Sequence, residues 1–103
     1  MKRQLIIAPS AIRDLQGIHD FIARDNVDAA GRYIERLYCR FELLCHQPGT
    51  GRKRNEVESG YRSVVEGEQV IFYQPMADDT LEIKRVIHSK RDLRKALREP
   101  KNP

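Results

Sequence analysis

Three residues in the most β-rich part of the chain, Arg62, Arg85 and His88, are of types that can act on a charged group. A guanidinium group can hold an anion, and an imidazole can exchange a proton near neutral pH. Because Arg85 should share a strand face with aliphatic side chains, it needs either a carboxylate partner in the fold or a groove that receives an anion, and we favour the partner. His88 stands alone, and a lone histidine is more often a surface or hydrogen-bonded residue than a catalyst.

The positive charge of the chain is concentrated in two segments. The net charge is +4, and residues 90–103 carry six cations and two anions, which account for the whole excess. A second basic cluster is Arg52-Lys53-Arg54. Such a surface indicates an acidic partner, either nucleic acid or an acidic protein segment, although a solvated helix face has the same composition.

No motif of a cofactor or metal enzyme is present in the sequence. It lacks GxGxxG, a Walker-type loop and GxSxG, and its acids form no obvious pair. Cys39 and Cys45 lie in a predicted helix about 9 Å apart along its axis, beyond disulfide reach, and we expect both to be small buried side chains. We therefore expect neither a cofactor nor a metal.

Length and hydropathy predict one cytoplasmic domain over residues 1–103 with no membrane contact. No apolar run approaches the ~20 residues that span a bilayer. The apolar patch Leu5 to Ala8 is shorter than the roughly 7–15 residues of a signal peptide.

Hydrophobic periodicity predicts an α+β fold with the order β-α-α-β-β-β-α. The first strand lies within Lys2 to Ala8, Ser10 caps a helix that lasts to about Arg24, and a second helix runs from about Val27 to His46. Each helix has one apolar stripe, formed by Ala11, Leu15, Ile18 and Ile22 and by Ala30, Ile34, Leu37, Phe41 and Leu44. The short connection predicts an antiparallel helical hairpin that covers one face of the sheet.

Three further strands, Tyr61 to Glu66, Gln69 to Gln74 and Leu81 to His88, should form an antiparallel meander because their connections are too short for crossovers. With the first strand they give a mainly antiparallel four-stranded sheet. Strict alternation would place four residues of the last strand on one face: Leu81, Ile83, Arg85 and Ile87.

A short basic helix is predicted after the last strand. Ser89 is the expected N-cap of this helix, Lys90 to Arg98, with Asp92 in its first turn. Residues 99–103 are expected to form a frayed tail.

Motifs along nearly the whole chain resemble the RelE/ParE toxins of bacterial toxin–antitoxin systems. Ala-Pro-Ser-Ala opens the first helix and Gln-Pro-Gly-Thr-Gly-Arg follows the second. The most specific motifs are Tyr61-Arg62, Val70-Ile71-Phe72-Tyr73, Ile83-Lys84-Arg85-Val86-Ile87-His88 and Lys90-Arg91-Asp92-Leu93. The resemblance implies a compact α+β toxin whose sheet supports a groove, in a hetero-oligomer with a ParD-like antitoxin that wraps it through a disordered segment.

The resemblance is closest to the ParE branch, whose members are thought to poison DNA gyrase. RelE-like members instead cleave ribosome-bound mRNA with basic residues and often a Tyr or His near the C-terminus. Where such a chain would have its Tyr or His, this one has Lys90 and Arg91, and arginine is a poor proton shuttle because it stays protonated. We therefore expect a gyrase inhibitor without catalytic residues.

The alternative hypothesis is a RelE-like endoribonuclease, in which Arg62 and Arg85 would clamp the phosphate and His88 would act as base. A third is a degenerate toxin kept for its antitoxin interaction. For the favoured hypothesis, the expected target- or antitoxin-binding residues are Arg52, Arg54, Arg62, Arg85, Lys90, Arg91 and Arg94.

Overall fold

The computed structural model describes residues 2–98, so the expected tail at residues 99–103 lies outside the described part. Its α+β class agrees with the prediction. The helices are α1 (Pro9–Ala23), α2 (Val27–His46) and α3 (Leu93–Arg98), with a single 3-10 turn at Pro48–Thr50. The strands are β1 (Gln4–Ile7), β2 (Arg52–Lys53), β3 (Arg62–Glu66), β4 (Gln69–Pro75) and β5 (Thr80–His88).

The sheet has five strands in the order β1-β5-β4-β3-β2, so the predicted four-stranded sheet is wrong. β1 pairs with β5 in parallel, and the other neighbours are antiparallel. The additional strand, β2, pairs Arg52 with Ser63 and Lys53 with Arg62. Two charged residues carry no hydrophobic periodicity that a sequence pattern could detect, although charge is typical of an edge strand.

A β-bulge changes which side chains of β5 share a face. Phe72 pairs with Arg85, but the next residue, Tyr73, pairs with Ile83, so Lys84 is the extra residue of the bulge. Beyond the bulge, the pattern of β5 side chains that face one side of the sheet is shifted by one residue.

Consequently, Val86 joins Leu81 and Ile83 in the larger core, while Ile87 belongs to a second core on the opposite face. The prediction that Ile87 shares a face with Leu81 and Ile83 is therefore wrong.

The larger core fills the space between the α1–α2 hairpin and the sheet, as predicted. Leu15, Leu37, Phe41 and Leu44 are at most 4% exposed. Ile18, Ile22 and Ile34, which were also expected to be buried, are only half-buried. Of these, Ile18 and Ile34 pack against the margin of this core.

The smaller core lies on the other face of the sheet, beneath α3. Its buried residues are Val70, Phe72, Ile87 and Ala96, with Tyr61, Leu93 and Leu97 packed at their margin. The sheet is thus covered on both faces.

Two of the predicted helix caps are wrong. α1 begins at Pro9 with Ala8 at its N-cap, and Ser10 is buried inside the helix. Proline has no backbone N–H that would need a capping partner at the first helical position, and its fixed φ suits that position. α3 begins at Leu93 and not at Lys90, because the Asp92 side chain accepts a hydrogen bond from the backbone N–H of Lys95 at 3.2 Å.

The two cysteines are free and differ in exposure. Cys45 is buried, and burial raises the pKa of its thiol. Cys39 is exposed, so the prediction that both are buried is wrong for Cys39. Within residues 2–98, no three acidic, histidine or cysteine side chains group closely enough to hold a metal ion. No helix in that range has the length and hydropathy needed to cross a membrane.

Candidate functional site

Arg85 has a carboxylate partner within the fold, Asp14 of α1. Its Nε donates to Asp14 Oδ2 at 2.7 Å and its Nη2 donates to Oδ1 at 3.0 Å, a two-bond ion pair. Nη1 donates to the carbonyl oxygen of Ala96 in α3 at 2.9 Å. Both charged side chains are only 15% exposed. Arg85 therefore joins α1, β5 and α3.

The Asp14 carboxylate also completes the edge of β5. β1 ends at Ile7, and the last bond from its side goes from the Ala8 N–H to the Ile83 carbonyl at 3.0 Å. Beyond that point, the Val86 N–H donates to Asp14 Oδ2 at 2.9 Å. A buried N–H without a partner is costly, so the side chain replaces the strand that is missing there.

Arg62 holds the 3-10 turn against the opposite end of the sheet. Its Nη1 donates to the Gly51 carbonyl at 2.6 Å. The hydroxyl of Tyr73 donates to the Pro48 carbonyl at 2.8 Å and accepts from the Gly51 N–H at 2.7 Å. A Cβ on Gly51 would collide with that hydroxyl, which explains the glycine. Burial raises the pKa of the Tyr73 hydroxyl, and the Gly51 hydrogen bond and nearby arginines partly oppose this.

Arg54 lies on the α3 face of the sheet. Its Nε donates to Ser63 Oγ at 2.7 Å, and its guanidinium carbon lies 5.7 Å from the ring centroid of Phe72. Arg52, two residues earlier on β2, is exposed. The predicted basic cluster Arg52-Lys53-Arg54 therefore includes one residue that packs on the sheet and one that is open to solvent.

His88 lies far from Arg62. Its Nδ1 accepts from the Lys90 N–H at 3.1 Å, and its Nε2 is 3.9 Å from Glu68 Oε2. On β4, Gln69 pairs with His88 and Tyr73 pairs with Arg62. That offset corresponds to about 13 Å along the sheet, in addition to the spacing between strands. The structure therefore does not bring Arg62, Arg85 and His88 together at one phosphate-sized site.

A groove that the sequence analysis missed lies at the His88 end of the sheet. Its volume is about 960 Å³. Residues of α1, α2, the turn from β3 to β4 and the end of β5 line it. Gly67 makes that turn with a left-handed φ of 62°. Its lining is largely apolar and includes Gly17, Ile18, Phe21, Ile22, Val86 and Ile87.

The rim of this groove is rich in arginine. Arg13, Arg32, Arg36 and Arg91 line it, and the acids among its lining residues are Asp14 and Glu68. The four-residue spacing of Arg32 and Arg36 on one helix was a signal in the sequence, because such residues share a face.

Arg36 and Tyr33 connect the rim to the sheet. Arg36 Nη2 donates to Glu66 Oε2 at 2.6 Å, and its guanidinium carbon lies 5.4 Å from the centroid of the Tyr33 ring. The Tyr33 hydroxyl donates to the Glu66 carbonyl at 2.7 Å, and burial raises its pKa. Arg36 is therefore partly neutralised by Glu66.

Comparison with known proteins identifies the family. The model of the ParE toxin of type II toxin–antitoxin systems, parDE, matches residues 5–93. The chain belongs to the ParE toxin family. The matched range runs from β1 to the start of α3, so it includes the groove and every residue of the Asp14–Arg85 pair.

Two curated relatives of this ParE family chain are toxins named ParE1, from two strains of Mycobacterium tuberculosis. Each is 29% identical over 98 residues, which cover 94% of this chain and 100% of the relative. The similarity therefore extends over the full length of these relatives.

Solved structures share the ParE fold at lower identity. A chain of the chromosomal ParDE toxin–antitoxin system of P. aeruginosa superposes with a TM-score of 0.71 at 16% identity, covering 84% of this chain and 96% of that one. A chain of the RelBE2 toxin–antitoxin complex of Mycobacterium tuberculosis superposes with a TM-score of 0.60 at 21% identity, covering 85% and 99%. These matches support the α+β fold.

Proposed function

We propose that this protein is a toxin that inhibits DNA gyrase by binding it and is neutralised by a ParD-like antitoxin in a hetero-oligomer. The observation that carries the proposal is that the three candidate nuclease residues make contacts within the fold and do not converge on one site. Arg62 holds a turn, Arg85 pairs with Asp14, and His88 lies at the far end of the sheet. These side chains serve the fold, while the cations at and before α3 are exposed on the surface.

The chemistry of RNA cleavage argues in the same direction. Attack by a 2′-OH needs a group that accepts a proton, a group that donates one, and cations near the phosphate. His88 Nδ1 already accepts a hydrogen bond from the Lys90 N–H, and the Glu68 carboxylate, 3.9 Å from its Nε2, is 78% exposed. A toxin that acts by binding its target does not need a proton acceptor, a proton donor and cations at one site.

The target surface in this proposal is the cationic end of the chain. Lys90 and Arg91 are exposed before α3, and Arg94 is exposed on it. α3 is anchored on the sheet by Ala96, so its cations can face an acidic or DNA-bearing partner. The proposed target and antitoxin place the protein in the cytoplasm.

Growth inhibition after the protein is induced in a bacterial host separates the hypotheses when selected side chains are substituted. We expect Arg91→Glu/Arg94→Glu to reduce toxicity with little change in the free energy of unfolding, because both side chains are exposed. Lys2→Glu/Arg24→Glu changes the net charge equally on exposed sites elsewhere and should remain toxic. His88→Ala should also remain toxic. Equal toxicity of the Arg91/Arg94 double variant would contradict the proposed surface.

The RelE-like alternative is supported by the fold shared with a RelBE2 chain and by arginines at positions that could match a nuclease groove. Primer extension on ribosome-bound mRNA tests it directly. Cuts at codon positions with the wild type, absent with His88→Ala, would establish the nuclease and overturn the gyrase proposal.

A further inference from the structure

The helix α3, which carries part of the proposed target surface, is too short to hold its own shape. It has six residues, Leu93–Arg98, and isolated helices shorter than about 12 residues are marginal in water. Asp92 closes its first turn, because its backbone carbonyl accepts from the Ala96 N–H at 2.9 Å and its side chain accepts from the Lys95 N–H at 3.2 Å. The rest of the order in α3 must come from the surface beneath it.

The apolar contact between α3 and the sheet is small and fixes no direction. Ala96 is 1% exposed in the smaller core, and Leu93 and Leu97 pack at the margin of that core. Hydrophobic contact is non-directional, so these three side chains hold the helix against the sheet without defining its rotation about its own axis. Defining that rotation requires a directional bond.

The hydrogen bond from Arg85 to the Ala96 carbonyl is directional. Arg85 Nη1 donates to that oxygen at 2.9 Å. The carbonyl has no α-helical partner, because the residue four positions later is Pro100, which has no backbone N–H to donate. A buried carbonyl without a partner is costly, so this bond ties the rotation of α3 to the guanidinium group.

Asp14 fixes the direction in which Arg85 reaches α3. Its carboxylate accepts from Nε at 2.7 Å and from Nη2 at 3.0 Å, and because the guanidinium is planar these two bonds define where Nη1 points. Asp14 lies on α1 and Arg85 on β5, two elements that contribute Leu15 and Ile83 to the larger core. The contacts from Asp14 through Arg85 to Ala96 therefore transmit the position of the main fold to α3.

We propose that Arg85 is a positioning residue for target binding, which orients α3 so that its exposed cations face the target together. Arg94 and Arg98 are exposed and four residues apart, so they share one side of this helix. Arg85 is only 15% exposed and acts through α3, not by touching the target. The inference rests on the proposed function, because that function assigns the target surface to α3.

The variant Arg85→Lys separates positioning from charge. Lysine keeps a positive charge beside Asp14, but it lacks the planar fork that reaches Asp14 and Ala96 at the same time. We expect native-state hydrogen exchange at the Ala96 amide to become roughly tenfold faster relative to exchange at Ile71, a fully buried residue of β4. We also expect that roughly tenfold more of the purified protein is needed for equal inhibition of gyrase supercoiling.

The variant Tyr73→Phe is the matched control for a general loss of stability. It also removes hydrogen bonds between a side chain and two backbone groups, but Tyr73 lies in the larger core and contacts the 3-10 turn. The ratio of exchange rates at Ala96 and Ile71 should stay as in the wild type, and so should the inhibition of supercoiling.

A second variant, Asp14→Asn, decides the question if lysine at position 85 prevents folding. Asparagine keeps an oxygen that can accept from Arg85 but removes the negative charge. It should change the exchange ratio and the inhibition of supercoiling in the same direction as Arg85→Lys, by a smaller factor. An unchanged exchange ratio and unchanged inhibition would overturn the proposal.

The outcomes separate this inference from the proposed function. If the wild type does not inhibit gyrase, the proposed function fails and the role of Arg85 in target binding fails with it. If the wild type inhibits and Arg85→Lys inhibits equally well, only the positioning proposal is overturned. Loss of inhibition by Arg85→Lys with an unchanged exchange ratio would mean that Arg85 contacts the target directly, and it would also overturn the proposal.

Discussion

The carboxylate of Asp14 performs two tasks, pairing with Arg85 and accepting from the Val86 N–H. Removing it would leave a charged side chain that is 15% exposed without its main counter-charge, together with an unpaired edge N–H. We expect Asp14→Ala to lower the free energy of unfolding by about 3–5 kcal/mol, the usual cost of breaking a buried pair. Urea denaturation measures this, with the exposed Asp20→Ala as the control. A loss below about 1 kcal/mol would contradict the structural role.

Tyr73 makes stability depend on alkaline pH. Its hydroxyl has a raised pKa from a reference of 10.0 because it is buried, so the folded state favours the protonated phenol. That contribution is fully present below the unfolded pKa and is lost as the pH rises through the folded pKa. Tyr33 and Tyr61 have pKa values raised in the same direction by burial.

We therefore expect two effects of Tyr73→Phe. At neutral pH it should cost about 1–3 kcal/mol, because the Pro48 carbonyl and the Gly51 N–H lose their partner. Above about pH 10 its stability should fall less steeply than that of the wild type. Urea unfolding on both sides of that pH measures both effects. Parallel pH curves for the two proteins would refute the assignment.

At the residue scale, the sequence favoured a carboxylate partner for Arg85 over an anion-binding groove, but it did not identify the carboxylate. Asp14 lies 71 positions earlier in the chain, and nothing local links the two residues. His88 was identified as a residue without a catalytic neighbour, and the structure places Glu68 and the Lys90 N–H beside it. The chemistry that each side chain can perform was therefore predictable from the sequence, but its partner across the fold was not.

At the element scale, the α1–α2 hairpin supplies most of the larger core. Phe41 is fully buried at the centre of the α2 stripe. We expect Phe41→Ala to cost about 3–5 kcal/mol of unfolding free energy through lost burial and the cavity that remains. Leu43→Ala, two residues later and 61% exposed, is the control and should cost less than about 0.5 kcal/mol. Similar losses for both variants would mean that the stripe has been placed on the wrong face.

The helical hairpin could be predicted because two apolar stripes joined by a short connection have few other ways to be buried. The bulge at Lys84 could not, since it depends on how β4 and β5 fit together. The start of α3 shows a third case. Both Ser89 and Asp92 can cap a helix, and Ser89 N–H instead bonds the Glu68 carbonyl while Asp92 caps the helix. Tertiary contacts decided between two locally acceptable caps.

At the scale of the whole molecule, residues 2–98 present at least two basic surfaces. One is the arginine-lined groove beside α1 and α2, and the other is the exposed cationic face of α3. Arg91 lies between them, at the groove and just before α3.

The groove itself was not visible from the sequence, although its residues were. Ile18 and Ile22 were assigned to the stripe of α1, and in the structure both are half-buried and line the groove. Which stripe residues face the core and which face a groove depends on how the helices and strands pack in three dimensions. The basic charge of the tail was visible, and the arginines of the rim were not distinguished from ordinary surface residues.

The central claim is that the protein acts by binding gyrase and not by cutting RNA. The most direct measurement is DNA supercoiling by purified gyrase with increasing amounts of the purified protein. We predict loss of supercoiling or accumulation of cleaved gyrase–DNA complexes with the wild type and with His88→Ala, and a weaker effect with Arg91→Glu/Arg94→Glu. Undisturbed supercoiling, at protein amounts that cut ribosome-bound mRNA at codon positions, would contradict the account.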